Sequence, residues 1–424
     1  MEQVGLNFSL PEENSWRALC ASDPEFRAVS RYWDGGIRLN IGRVQLALFV
    51  KKGQLVNEDE NPGGVIEISG EESVWEKIIE RAPSRFNNDI MANIATGGGL
   101  SRKANRVMFA QYYPALIRAV ELLRNENPVM DLMPYDLPGS SDIEPVSGKY
   151  IRLLLGGHSY RVYYEEAGKG IPLILQHTAG CHGSQWRHLF ENKRITDNFR
   201  LVAYDLPFHG KSLPPATGEW WAATYKLEGE FLRSIPVLFS RLLNLDRPVF
   251  MGCSVGGLLA LDLAHKHPNE FRAVVSIEGA LKIEGNILNF GELDHPQVGS
   301  GYKGRLMEGL TSPMSPKAYR KEASYLYSNA WSPVFLGDLN YYMEDYDLRE
   351  CVSEIDTRKT SVHILSGEYD WSSPVEAGRV AHEMIPGSTW SEMKGLGHFP
   401  MTENPALFYK YLEPVLEEII QENK

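Results

Sequence analysis

Several features that mark common protein classes are scarce or missing in this 424-residue sequence. Its cysteines lie far apart and form no CxxC pair, which argues against a zinc site or a disulfide framework; they are Cys20, Cys181, Cys253 and Cys351. No run of about 18 apolar residues occurs, so we expect no membrane-spanning helix. The opening residues MEQVGLNFSLPEEN have neither a basic start nor an apolar core. They predict no secretory signal, and isolated cysteines in such a chain are typical of a reducing cytoplasm.

Basic residues are also fewer than acidic residues in this sequence. The chain has 43 Lys and Arg against 55 Asp and Glu, which gives a formal net charge of −12. This balance argues against a nucleic-acid partner, because phosphate binding needs a basic surface. With 43% hydrophobic and 23% charged residues the chain can bury substantial cores, and its length predicts two or three domains.

A change of composition divides the chain. Residues 130–149 are rich in Pro, Gly, Ser and Asp, which is typical of a linker. We place this linker at 131–147. It separates an N-terminal domain, residues 1–130, from a larger domain, residues 148–424.

The larger domain alternates short apolar segments with helical patterns. KYIRLLL and HSYRVYYEEAG resemble an antiparallel pair of strands. The segments that follow are typical of strands buried on both faces of a parallel sheet: IPLILQH, FRLVAYD, RPVFMGC, RAVVSIEG and SVHILSG. The alternation predicts an α/β fold with a mostly parallel sheet. Residues 281–355 lack strand patterns and hold many aromatics, including Trp331, Phe335, Tyr341 and Tyr342, so we expect an inserted helical cap there.

One short motif points to nucleophilic chemistry. Gly252-Cys253-Ser254-Val255-Gly256 is a G-x-S-x-G sequence that follows a strand pattern and opens a helix pattern. In this context the serine hydroxyl stands on a sharp turn, and its neighbours must be small so that strand and helix pass closely. The alternative is that Ser254 only caps the helix. We interpret Cys253 as a small apolar filler under the turn.

A serine nucleophile needs a base, and the base needs an orienting carboxylate. His398 lies in a Gly-rich loop before the last helix, where a neutral imidazole can take and return the proton. Asp370 follows the strand pattern SVHILSG, at the end of a parallel strand where ligands bind. Glu278 follows an earlier strand and is the second candidate for the acid. The order serine, acid, histidine is that of the α/β-hydrolase triad.

Residues from about 146 to 424 resemble the α/β-hydrolase fold family on four motifs in the expected order. Beyond the triad, YDLPFHGKS at 204–212 resembles the family's D-x-P-G-x-G-x-S turn, with Phe208 where glycine is usual. HFPMTENPALF resembles the segment from the catalytic histidine to the last helix. The resemblance implies an oxyanion hole formed by the backbone amides of Ala179 and Val255, with Thr178 at a position where glycine is typical. It implies neither a metal nor a cofactor.

The first 130 residues lie outside this resemblance. GIRLNIGRVQLALFVKKGQLV predicts two strands with a turn at Lys51-Lys52-Gly53, and two amphipathic helix patterns follow. The arrangement faintly resembles sterol-carrier-protein-2-like domains, which have a small sheet over an apolar cavity. The simpler interpretation, which we favour, is an accessory α+β domain used for packing or for a homodimer contact.

Taken together, the motifs predict a serine hydrolase that cleaves a carboxylic ester, or a related carbonyl bond, through an acyl-enzyme. The aromatic cap favours a medium-sized, partly apolar or aromatic small-molecule substrate. One alternative is a carbon–carbon bond hydrolase of a diketone-like acid, for which Arg187 is the nearby basic residue. Another is a ligand-binding or receptor protein with little turnover. The fold alone does not choose between these activities.

Overall fold

The computed structural model describes residues 10–60, 63–124, 143–285 and 287–422. The chain forms two compact units. The first contains Met1–Met130 and His295–Gly309, and the second contains Asp131–Asp294 and Leu310–Lys424. Most of the linker expected at 131–147 lies outside the described residues. His295–Gly309 falls inside the interval expected for the cap but belongs to the first unit.

A five-stranded sheet in the order β3-β2-β1-β4-β5 forms the centre of the first unit. Strands β1 and β4 are parallel, and the other neighbours are antiparallel. The prediction of two strands over this stretch is wrong, because a second turn at Gly42, with φ of 56°, divides it into three. The strands and helices are α1 (Glu13–Ser22), α2 (Pro24–Ser30), β1 (Asp34–Ile41), β2 (Val44–Lys51), β3 (Gln54–Val56), β4 (Gly64–Gly70), α3 (Glu72–Ile78), α4 (Ile90–Ala95), β5 (Ser101–Lys103) and α5 (Arg106–Leu123).

Helix α5 carries much of the core of the first unit. The indole of Trp16 is fully buried and donates a hydrogen bond to the Ala119 carbonyl at 2.8 Å. The helix Ser300–Glu308 joins this core through Arg305, whose buried guanidinium pairs with Glu121 of α5 and with Glu308. A buried charge is stable only when it is paired, so these ion pairs hold the inserted helix in the unit.

The second unit contains an eight-stranded sheet in the order β13-β12-β11-β10-β8-β9-β7-β6. Strands β8 to β13 run parallel, and β6 and β7 form an antiparallel pair beside β9. This confirms the predicted α/β fold with a mostly parallel sheet. The strands are β6 (Ser147–Leu155), β7 (His158–Gly168), β8 (Ile171–Gln176), β9 (Phe199–Tyr204), β10 (Val249–Cys253), β11 (Ala273–Ile277), β12 (Ser361–Gly367) and β13 (Thr389–Met393).

Helices cover this sheet, and the inner strands are buried along their whole length. A π-helical turn, Asn340–Asp345, follows α12. No helix among the described residues is long and apolar enough to cross a membrane. The helices, counting Ser300–Glu308 of the first unit as α10, are α6 (Arg187–Phe190), α7 (Lys193–Thr196), α8 (Gly229–Leu242), α9 (Val255–Lys266), α11 (Lys317–Ser328), α12 (Ser332–Leu339), α13 (Val375–Met384), α14 (Pro400–Glu403) and α15 (Pro405–Gln421).

Close packing of α9 on the sheet gives a first prediction. A Cβ atom at Gly257 would lie 2.1 Å from the Ile277 carbonyl oxygen, which belongs to backbone and cannot move away cheaply. We expect Gly257→Ala to lower the free energy of unfolding by about 1–3 kcal/mol, as overpacking does. Gly291→Ala is the matched control, since a Cβ there meets nothing within 4 Å. Urea unfolding of both variants measures the difference, and equal stability would contradict the packing argument.

Candidate active site

Ser254 stands on a strained turn between β10 and α9. Its φ of 61° and ψ of −115° lie outside the regions that a side chain other than glycine usually adopts. A Cβ atom at Gly252 would lie 2.4 Å from the Gly256 backbone, and one at Gly256 would lie 2.8 Å from the Gln176 carbonyl oxygen. The flanking glycines are therefore required by the close approach of strand and helix. Ser254 occupies the N-cap position of α9, but its side chain makes no capping hydrogen bond, which argues against the alternative that the serine serves only to cap the helix.

His398 and Asp370 meet at the same edge of the sheet. Asp370 follows β12 and His398 follows β13, and both side chains are buried. The His398 Nδ1 lies 2.6 Å from the Asp370 Oδ2, which directs the Nδ1 proton toward the carboxylate. The other oxygen of Asp370 accepts hydrogen bonds from the backbone amides of Ser372 and Ser373 at 2.7 and 3.1 Å. Asp370 is thus held in place, and it in turn orients the imidazole.

The histidine loop is tied to the serine turn through Cys253. The thiol of Cys253 donates to the His398 carbonyl oxygen at 3.2 Å, and burial raises its pKa well above the ordinary value. A thiol in this state is a poor nucleophile and suits the role of filler. The hydrogen bonds of the described residues do not include one from Ser254 to His398. Such bonds in hydrolases often tighten only when substrate binds.

Glu278, the second candidate acid, occupies a different position. Its carboxyl group is fully buried and accepts the Gly367 amide at 2.8 and 2.9 Å, and no hydrogen bond to His398 is described for it. Burial raises its pKa well above the usual value, and the neighbouring Asp370 raises it further. Glu278 therefore lies beside Asp370, whereas the contact with the imidazole belongs to Asp370.

The two amides expected for an oxyanion hole are free to donate. Among the described residues, neither the Ala179 nor the Val255 N–H donates a hydrogen bond. The amides on either side of Ala179 are occupied, because Thr178 donates to Gln185 Oε1 at 3.0 Å and Gly180 donates to an aspartate. Val255 is the first residue of α9, where the N–H has no partner within the helix.

The aspartate that accepts the Gly180 amide is Asp338 of α12, a residue that the sequence analysis did not identify. It is fully buried and accepts hydrogen bonds from the Gly180 amide at 2.7 Å, from the His209 Nε2 at 2.8 Å and from the Tyr225 hydroxyl at 3.1 Å. Burial lowers the pKa of His209, but the Asp338 carboxylate more than offsets this, so the pKa is raised overall. Asp338 thereby fixes the loop that carries Ala179. No motif surrounds it in the sequence.

Glu403 is a second residue that sequence analysis did not single out. Its buried carboxyl group accepts the amides of Gly397 and Phe399, which flank His398, at 3.1 Å each. It also accepts the Ser312 amide at 2.7 Å and the Ser315 hydroxyl at 2.9 Å. The segment HFPMTENP contains it, but the spacing alone does not show that it holds the histidine loop.

Comparisons with known proteins agree with this geometry. The profile of a family described as "alpha/beta hydrolase fold" matches residues 171–405. The chain belongs to the α/β hydrolase family.

Similar proteins include both uncharacterised members and esterases. An uncharacterised protein of Mycobacterium tuberculosis (strain H37Rv) is 26% identical over 288 residues, which is 61% of this chain and 79% of that protein. A pimeloyl-(acyl-carrier protein) methyl ester esterase of Vibrio campbellii is 23% identical over 265 residues, which is 58% of this chain and 96% of that enzyme. A thermophilic esterase from Thermogutta terrifontis shares the fold, with a TM-score of 0.56 at 17% identity, over 64% of this chain and 99% of that structure.

The departures from the usual α/β hydrolase pattern have local explanations. Phe208 adopts a φ of 73°, the conformation that the usual glycine takes with less strain, and its ring packs against Tyr225 and Trp331. The Thr178 hydroxyl hydrogen-bonds to Gln185 Oε1 at 3.0 Å and to the Tyr327 hydroxyl. The Thr178 hydroxyl is thus engaged within the protein and is not available as a further donor to a substrate oxygen.

Titration of Glu403 gives a second prediction. Burial raises its pKa from 4.5 to about 7, so the folded protein holds this proton more tightly than the unfolded chain does. The contribution of Glu403 to the free energy of unfolding is therefore lost as the pH rises from 4.5 toward 7. The loss amounts to about 1.4 kcal/mol for each unit by which the pKa in the folded protein exceeds that in the unfolded chain. Glu403→Gln lacks this titration. Urea unfolding at pH 5 and pH 8 should show wild type losing stability relative to the variant as the pH rises, and a relative gain would contradict the raised pKa.

Proposed function

We propose that the chain is a serine esterase that cleaves a carboxylic ester of a medium-sized, partly apolar or aromatic substrate through an acyl-enzyme. The observation that carries this proposal is the 2.6 Å hydrogen bond between Asp370 and His398 beside the strained turn at Ser254. A serine on such a turn, an oriented imidazole and two free amides are the parts that acyl transfer needs.

Each part has a defined role in the proposed reaction. The Ser254 oxygen attacks the ester carbonyl carbon while the Nε2 of His398 takes the hydroxyl proton. Asp370 holds the imidazole with Nε2 facing the substrate and stabilises the imidazolium that forms. The C–O bond to the leaving group then breaks, and His398 returns the proton to the departing oxygen. Water attacks the acyl-enzyme by the same route and regenerates Ser254.

The amides of Ala179 and Val255 face the oxygen that becomes negative in the tetrahedral intermediate. One such donor contributes about 3 kcal/mol of transition-state stabilisation. The hydrogen bonds that Asp338 and Gln185 make to the neighbouring amides hold this backbone in place before substrate arrives. The donors then need little reorganisation during the reaction.

Aromatic side chains between β11 and β12 support the choice of substrate. Tyr327 and Phe335 pack together, and Tyr327 also contacts Phe399 next to His398. Phe335 lies against Gly180, where a Cβ atom would be 2.7 Å from it. The relatives named as methyl ester esterases support a carboxylic ester as the bond that is cleaved.

The alternative of a carbon–carbon bond hydrolase has less support. Its anionic substrate needs a basic residue, and the candidate Arg187 is paired with Glu322 at 2.6 Å and with Glu191 at 3.0 Å. A cytoplasmic location and a homodimer contact through residues 1–130 stay predictions.

Loss of the nucleophile gives the third prediction. A fluorophosphonate probe should label wild type at Ser254, as peptide mass spectrometry will show. Ser254→Ala should lose the labelling and reduce kcat on p-nitrophenyl esters by about 10⁴-fold or more. Ser212→Ala is the control, because Ser212 is a buried serine whose hydroxyl hydrogen-bonds to the Asp205 carbonyl. Full activity in Ser254→Ala would overturn the proposal, and labelling of wild type without turnover would favour the ligand-binding alternative.

The identity of the acid gives the fourth prediction. Asp370→Asn should reduce kcat by about 10²–10⁴-fold, because an amide partner favours the wrong imidazole tautomer. Glu278→Gln should stay within a few fold of wild type, since Glu278 binds the Gly367 amide and not the imidazole, and its raised pKa favours the protonated form that Gln resembles. Steady-state kinetics on one ester compare the two variants. An inactive Glu278→Gln beside an active Asp370→Asn would reverse the assignment.

A further inference from the structure

The π-helical turn Asn340–Asp345 is anchored on both sides. Tyr341 donates its hydroxyl proton to Asp262 at 3.0 Å, and the Asn340 side chain donates to the Leu227 carbonyl at 3.1 Å. Beyond the turn, the Tyr346 hydroxyl donates to the Ala280 carbonyl at 2.8 Å. Turns of this rare kind often occur at functional sites. These hydrogen bonds fix the backbone on both sides of Tyr342, and they therefore fix the direction in which its side chain extends.

Tyr342 reaches the candidate active site. Its side chain is buried, and its hydroxyl lies 3.0 Å from the Ser372 Oγ. The Ser372 amide binds Asp370 at 2.7 Å. The phenol therefore binds the loop that carries the proposed acid, and Ser254 and Asp370 are both among the groups that influence its pKa. The triad itself does not need such a group.

The order of the strands shows from which side Tyr342 approaches. In the sequence of neighbours β12-β11-β10-β8, Ser254 follows β10, Ala179 follows β8, and Asp370 and Ser372 follow β12. The oxyanion donor Ala179 and the Tyr342 contact with Ser372 thus lie on opposite sides of Ser254. His398, bound to Asp370, lies on the Tyr342 side.

We infer that Tyr342 is a further catalytic residue, whose hydroxyl donates a hydrogen bond to the leaving-group oxygen of the ester. This inference rests on the proposed esterase function. In the tetrahedral intermediate the oxyanion faces Ala179 and Val255, and the leaving group faces His398. The phenol is then next to the oxygen that departs.

The step requires no proton transfer from Tyr342. As the bond between carbon and leaving oxygen breaks, the electron pair moves to that oxygen and the proton comes from the imidazolium of His398. Tyr342 keeps its own proton and stabilises the developing charge, while the Ser372 hydroxyl donates to the phenol oxygen. Burial raises the pKa of Tyr342, which keeps the phenol protonated at working pH.

Leaving-group dependence tests this role and gives the fifth prediction. Wild type and Tyr342→Phe are compared on two esters of the same acid, a p-nitrophenyl ester and a simple alkyl ester. The alkoxide is a poor leaving group that needs the hydrogen bond, so kcat/KM for the alkyl ester should fall about 10–100-fold. The p-nitrophenolate leaves easily, so kcat/KM for its ester should change less than about threefold.

The control is Tyr346→Phe, which also removes a buried phenol hydroxyl from the same region, but one that binds the Ala280 carbonyl and not Ser372. This control variant should change kcat/KM by the same factor for both esters. If Tyr342→Phe does not fold, as judged by circular dichroism, Ser372→Ala is measured instead. It should also lose more kcat/KM on the alkyl ester than on the p-nitrophenyl ester, but by a smaller factor. Equal losses on both esters, or no loss on either, would overturn the inference. Wild-type turnover of both esters, together with fluorophosphonate labelling of Ser254 in these variants, reports separately on the esterase proposal, which survives if turnover by wild type and labelling both persist.

Discussion

The close passage of β10 into α9 at Ser254 is the constraint on which the rest of the site depends. A strand and a helix that approach this closely leave no space for side chains at Gly252, Gly256 or Gly257. The backbone at Ser254 takes a conformation that costs free energy, on the order of 1–3 kcal/mol, which the surrounding packing must offset. In this conformation the Ser254 side chain makes no capping hydrogen bond, and the amide of Val255, the first of α9, has no partner within the helix. The same geometry thus supplies both the hydroxyl of the proposed nucleophile and the amide of one proposed oxyanion donor.

Ala179, Asp370 and His398 lie on loops that follow parallel strands at the same edge of the sheet. Residues between β11 and β12 then hold the loop that carries Ala179 in place. Tyr327 binds Thr178, and Asp338 binds Gly180, so the backbone around Ala179 is held from both sides. Because these contacts form within the folded protein, the cost of ordering the loop is met by folding and not by substrate binding. An aromatic segment that at first suggests only a lid therefore also shapes the catalytic loops.

Much of the second unit could be predicted because its signals are local. Buried parallel strands read as short apolar runs, and the G-x-S-x-G turn requires glycines for a steric reason that any such turn shares. In the first unit the turn at Gly42 escaped notice because one apolar strand pattern continues almost directly into the next. Asp338 could not be found, since its role depends on contacts with residues more than a hundred positions away in the chain. Tyr342 was predicted as an aromatic residue of the cap, but the role that we propose for it depends on a single helical irregularity that no sequence pattern shows.

Three buried carboxyl groups, those of Glu278, Asp370 and Glu403, lie close enough to affect one another, and their hydrogen bonds differ. Glu278 accepts the Gly367 amide, and burial together with Asp370 raises its pKa well above the usual value. Asp370 accepts two backbone amides as well as the imidazole of His398, which places it to stabilise an imidazolium in the proposed reaction. Glu403 also raises the pKa of Glu278, and its own pKa of about 7 means that this influence weakens as the pH falls. The raised pKa of Glu278 disfavours a second negative charge beside Asp370, and of these three carboxyl groups it is Asp370 that contacts the imidazole of His398.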